Sequence, residues 1–249
     1  MSDGADSPPL QHRVRILAGT NAHKTVLTNV PVGSNAVSAF YSWRLASSKA
    51  CEVTVVWRRN WQAVQEYGIA FQSDFFGSER WKPAHGRFPA RRILLIVVVQ
   101  QVEDAAEPGR PYDYILVCVK VIPELYELAD VIADVVTPSH TCILLNTTTT
   151  IGVEKSLGAR FPKNLIVSLV SFADLNQTGG FEFEHLGDSA RVYIGTALRN
   201  ETIPEETQQD MAESLALTLE AGSVDCHVSH NIVQQQWEKM IGYVLLISR

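Results

Sequence analysis

Four runs of the chain are apolar almost without interruption: EVTVVW (Glu52–Trp57), YILVCV (Tyr114–Val119), CILL (Cys142–Leu145) and LIVSLV (Leu165–Val170). A strand with one face in water alternates polar and apolar residues. A strand without that alternation is buried on both faces, as in a parallel sheet covered by helices. Segments of helical character, Pro123–Val136 and Gly152–Phe161, lie between the runs. Buried strands alternating with helices read as βαβ units, so the expected fold class is α/β, a doubly wound, mostly parallel sheet.

The flanking segments fit the same plan. HRVRIL is a short strand candidate. From Val32 the chain reads as a turn entering a helix, capped by Ser34 or Asn35, with Val37, Phe40, Tyr41 and Leu45 at helical spacing. Arg191–Ile194 and Val224–Ser229 read as strands. Thr202–Ala221 reads as a helix with a capping box of Thr202 and Glu205, stopped by Gly222. A last helix starts near Asn231. Residues 1–12 read as a flexible tail and 13–229 as one domain.

Composition narrows the function classes. The 249 residues carry 21 Lys and Arg against 27 Asp and Glu, a net charge of −6. A protein that grips nucleic acid by its phosphates needs a basic excess, so that partner is not expected. The longest apolar run, Ile93–Val99, falls far short of the roughly 20 residues that span a bilayer. The four cysteines (Cys51, Cys118, Cys142 and Cys226) show no paired spacing, and three lie in or beside apolar runs. They read as buried thiols in a cytoplasmic protein, with no metal site.

In a doubly wound sheet a dinucleotide lays its pyrophosphate on the helix N-terminus after the first strand, where glycines let the backbone approach. The fingerprint G-x-G-x-x-G survives here as Gly33-Ser34-Asn35-Ala36-Val37-Ser38, with Asn and Ser at the second and third glycine positions. The same residues also suit an ordinary capped helix. The second buried strand ends in Trp57-Arg58-Arg59. There an acidic residue would bind the 2′-hydroxyl of NAD, whereas arginine offers a planar fork to the 2′-phosphate of NADP. Arginines that merely solvate a strand end would look the same.

Five segments, in order, resemble the ketopantoate reductase (2-dehydropantoate 2-reductase) family, particularly divergent fungal-type members. They are VGSNAVSAFYSWRLA, EVTVVWRRNWQAVQEYGIAFQS, PYDYILVCVK with PELYELADVIADVVTP, CILLNTTTTIGVEKSLGARFP, and NIVQQQWEKM. The resemblance implies a Rossmann-like domain, NADP as cofactor, and hydride transfer from NADPH to a 2-keto acid or related carbonyl compound. It implies that Gly33, Ser34, Asn35, Ala36, Val37 and Ser38 cradle the pyrophosphate. Arg58 would meet the 2′-phosphate and Lys120 would support that end of the cofactor. Asn146 would lie close to the nicotinamide and substrate, and Lys239 would be the catalytic lysine. A ketone receiving hydride builds negative charge on its oxygen, which an ammonium stabilises and protonates. Against these roles, Lys120 reads equally as a solvated lysine, Asn146 with its four threonines as a turn, and Lys239 as a surface lysine on a packed helix. His185 reads as structural.

The chain departs from the family pattern in three places. HRVRIL is separated from the glycine turn, so either TVLTNVPV replaces that strand or residues 18–31 are an insertion. Residues 86–101 (GRFPARRILLIVVVQQ) read as a second insertion; translated non-coding sequence would explain both. The chain ends at Arg249, so residues 230–249 read as only the first helix of the family's all-helical C-terminal domain, with Tyr243 where an asparagine is expected. The competing functional reading is therefore a non-catalytic NADP-binding or interaction module, or a degenerate fragment of such an enzyme.

Overall fold

The computed structural model describes residues 12–18, 35–48, 51–57, 61–81, 97–99, 111–119, 121, 126–146 and 151–247. Its main sheet has eight strands: β1 (His12–Ala18), β2 (Cys51–Trp57), β5 (Val97–Val99), β6 (Tyr114–Cys118), β7 (Cys142–Leu145), β8 (Ile166–Ser171), β11 (Val192–Gly195) and β12 (Cys226–Val228). In space they run β5-β2-β1-β6-β7-β8-β11-β12. The strands from β5 through to β8 are parallel, β11 runs antiparallel to β8, and β12 is parallel to β11. The order reverses between β1 and β6, which makes the sheet doubly wound and Rossmann-like.

The absence of alternation in the central strands has the expected cause. In β6, Tyr114, Leu116 and Cys118 pack on one face of the sheet while Ile115 and Val117 pack on the other; in β7, Cys142 and Leu144 are opposed by Ile143 and Leu145. One face is covered by α1 (Ala36–Ser48) and α5 (Glu205–Ala221), the other by α3 (Leu128–Ile132) and α4 (Val153–Arg160). α6 (Ile232–Ile247) lies against β8 and β11. No helix among the described residues is long and apolar enough to cross a membrane.

A second sheet of four short strands, β4-β3-β10-β9, covers the outer side of α1. It comprises β3 (Ile69–Ser73), β4 (Glu79–Trp81), β9 (Asp174–Gln177) and β10 (Glu182–Leu186); a short helix, α2 (Trp61–Tyr67), leads into it. α1 is thus enclosed between two sheets and α5, with all of its first eleven residues but Val37 buried. A helix apolar on every side belongs in such a place. Its serines are satisfied locally: the Ser42 and Ser47 hydroxyls donate to the Ser38 and Trp43 carbonyls at 2.6 and 2.9 Å.

Several boundaries differ from the sequence reading. Of the helix expected over Pro123–Val136, the part from Tyr126 onward contains α3 followed by a 3-10 turn at Ala133–Val135, and residues 123–125 lie outside the described residues. The capping box of Thr202 and Glu205 does not form. α5 starts at Glu205 behind Pro204, with no side-chain cap. Thr202 instead donates its hydroxyl to the Pro162 carbonyl at 2.8 Å, since the proline that fixes the entry angle sets Thr202 outside the helix. β1 takes the central position between β2 and β6; TVLTNVPV lies outside the described residues. Residues 19–34, between β1 and Asn35, also lie outside the described residues. Val97–Val99, inside the segment 86–101, pairs with Thr54–Val56 as the edge strand. Residues 1–11, the remainder of 86–101 and Val32 lie outside the described residues.

Candidate functional site

The carboxyl ends of β1, β6, β7 and β8 form one edge of the sheet, and three side chains named above meet it. Asn35 precedes α1. Its Oδ1 accepts the Ser38 backbone N–H at 2.8 Å, an N-cap, which is why the helix starts here and not earlier. Its Nδ2 donates to the carbonyl of Cys118, the last residue of β6. Since Ala18 and Cys118 are partners in the β1–β6 ladder, this contact joins the first turn of α1 to the point where the strand order reverses. Ala36, Val37 and Ser38 form that turn, whose partial positive charge favours an anion.

Asn146 follows β7 and is 4% exposed. Its N–H donates to the Val117 carbonyl at 2.9 Å, so it continues the ladder one residue past the strand. Its side-chain amide lies against the Cys118 thiol, which burial pushes up to about 12. Among the described residues its Oδ1 is buried with no hydrogen-bond partner. A buried acceptor without a partner is costly unless something donates to it.

Lys239 reaches the same edge from α6. Its Nζ donates to the carbonyl of Ser171, the last residue of β8, and lies 5.8 Å from the centre of the Phe172 ring. Burial lowers its pKa to about 8. The helix is turned so that Trp237 and Ile241 are half exposed (51% and 54%) while the lysine points inward, the reverse of a surface lysine on a packed apolar stripe. β7 and β8 are neighbours with Leu145 opposite Ser168. Asn146 and Ser171 are therefore separated by one strand spacing, about 4.8 Å, and two residue steps along the strand, about 6.6 Å.

The structure thus brings Asn35, Ala36, Val37, Ser38, Asn146 and Lys239 to one edge. Gly33, Ser34, Arg58 and Lys120 lie outside the described residues; Arg58 follows Trp57, the last residue of β2, and Lys120 follows Val119. Cys118, where the two asparagines meet, was read from sequence only as a buried thiol. Its signal was its place at the end of a buried strand one residue before VK. His185 lies in the second sheet, 2% exposed. Its Nε2 donates to the Ser189 carbonyl at 3.1 Å, and its Nδ1 accepts from the Ser73 hydroxyl at 3.0 Å. A cleft of about 350 Å³ lies at the opposite edge, beside the amino ends of β7 and β8.

A parallel sheet with a reversal point, a helix N-terminus beside it, and polar groups along the carboxyl edge is the layout of a Rossmann-like α/β protein. The ketopantoate reductase PanE/ApbA family model matches residues 30–199, and the chain belongs to that family. It is 43% identical over 218 residues to the meiotically up-regulated gene 72 protein of Schizosaccharomyces pombe, covering 86% of this chain and 36% of that protein. Among solved structures it resembles 2-dehydropantoate 2-reductase from Methylococcus capsulatus, with a TM-score of 0.65 and 24% identity over 92% of this chain and 60% of that one. It also resembles a D-mandelate dehydrogenase solved with NADH and anilino(oxo)acetate, with a TM-score of 0.63 and 19% identity over 91% and 60%. The chain spans about a third of the curated relative and three fifths of the two solved ones.

Proposed function

We propose that this chain is the cofactor-binding part of an NADP-dependent reductase that passes hydride from NADPH to a 2-keto acid or related small carbonyl compound. The observation that carries this reading is an asparagine oxygen at the end of β7, unpartnered among the described residues, and a half-buried lysine from α6 held at the end of the adjacent β8. The residues present fit the cofactor. The α1 N-terminus suits a pyrophosphate, and the orphaned Asn146 Oδ1 suits a donor such as a carboxamide N–H or a substrate hydroxyl. Arg58, directly after β2, is the candidate for the 2′-phosphate, with Lys120 supporting that end of the cofactor and Gly33 and Ser34 completing the pyrophosphate cradle. When bound, the reduced nicotinamide supplies the hydride.

The chain's own work is to orient the carbonyl and to supply a proton. An ammonium at Lys239 stabilises the negative charge growing on the ketone oxygen and then releases a proton to it from Nζ. Its pKa of about 8 keeps it protonated at neutral pH yet ready to give the proton up. Ketone reduction should therefore decline as pH rises through 8, and oxidation of the alcohol, which needs the neutral amine, should rise. The four free, buried cysteines agree with a cytoplasmic setting.

Calorimetric titration tests the reading. NADPH should bind, NADH should bind more weakly, and Arg58→Glu should remove that preference. Equal affinity for both nucleotides would overturn the choice of NADP, and no binding of either would overturn the reductase.

A further inference from the structure

Glu154 is a carboxylate buried to 3% exposure whose hydrogen-bond donors, among the described residues, are all neutral. It sits in the first turn of α4, where the helix dipole favours negative charge. Its Oε2 accepts the Gly152 backbone N–H at 3.1 Å. Its Oε1 accepts twice, from the Ser168 hydroxyl on β8 at 2.6 Å and from Gln236 Nε2 on α6 at 2.8 Å. Gln236 is itself 8% exposed, and it must face the carboxylate with its NH2, because its oxygen would meet like charge there.

These contacts fix α6 along β8 at two points. Gln236 is tied, through Glu154, to Ser168, and Lys239 is tied to Ser171. Gln236 and Lys239 are three residues apart on one face of the helix, about 4.5 Å along its axis. Ser168 and Ser171 are also three apart, about 10 Å along the strand. The long lysine side chain spans the difference. Without the upstream point, α6 could slide or turn on β8 and its lysine would leave the carboxyl edge for water.

We propose that Glu154 and Gln236 are positioning residues, a clamp between α4 and α6 that holds Lys239 at the carboxyl edge of the sheet. This deepens the reductase reading and rests on it for its catalytic meaning. The test reads the lysine itself and not turnover, so the two fail separately.

In the full chain, Lys239 is titrated by measuring its acetylation with acetic anhydride as a function of pH, using peptide mass spectrometry. Hydrogen exchange is followed in the same samples. In the unaltered protein the midpoint should lie near 8. In Gln236→Ala and Glu154→Gln it should move towards the ordinary lysine value of about 10.4. Exchange should quicken in α6 while β6, β7 and β8 stay protected. Gln236→Ala removes a single hydrogen bond to Glu154 and keeps the readout available should Glu154→Gln fail to fold. An unchanged Lys239 midpoint in folded Gln236→Ala overturns the proposal. A shifted midpoint in a protein that binds no NADPH would leave the clamp standing and remove the reductase.

Discussion

Lys239 is a cation held where a cation is disfavoured, and that has a consequence for stability. Its pKa falls from 10.5 unfolded to about 8 folded, so between those values the unfolded chain binds the extra proton. Stability rises with pH wherever the unfolded state binds more protons. The penalty from Lys239 is therefore complete below pH 8, of order 3 kcal/mol, and disappears as pH rises towards 10.5. Lys239→Met should be more stable than the unaltered protein in urea at pH 7, and the gap should close by pH 10. A gap that does not change with pH would mean the lysine is not desolvated. Asn35 makes the opposite contribution. Asn35→Ala removes the α1 cap and the contact to Cys118 together, and should lower stability by about 1–2 kcal/mol in denaturant unfolding.

At the scale of elements, α1 is the piece on which the site and the core both depend. Its Phe40 and Trp43 pack against Phe71 of the second sheet, with ring centres 6.1 and 4.8 Å away, and Phe183 lies 5.6 Å from the same ring. Phe71 is 2% exposed, so Phe71→Ala should cost about 3–5 kcal/mol, measured by thermal or urea unfolding. A cost below 1 kcal/mol would mean that the second sheet does not pack on α1. β2, β6, β7 and β8 were legible because they are continuous apolar runs, and β7 was read to the residue, whereas the edge strand β5 lies in a segment read as an insertion. The second sheet was not legible, although FEFEHL alternates as a half-buried strand should. Its strands are short, and Glu182, Glu184 and Gln72 interrupt them, so no run of apolar residues announces them. Glu154 and Gln236 were equally silent in sequence, since a buried carboxylate becomes meaningful only when its donors, 14 and 82 residues away, come together.

At the scale of the whole molecule, the parallel order, the reversal between β1 and β6 and the gathering of polar side chains point to the carboxyl edge of the sheet. The opposite edge carries a cleft but no comparable set of orphaned or displaced polar groups among the described residues. Trp237, Ile241 and Leu245 form an exposed apolar stripe on the outer side of α6, away from the lysine.

The most direct test of the central claim is hydrogen exchange with and without NADPH. The nucleotide should protect the first turn of α1, the end of β6 and Asn146, while the amino edge near Lys163 and Thr202 does not change. Protection at the amino edge alone, or none anywhere, would contradict that claim.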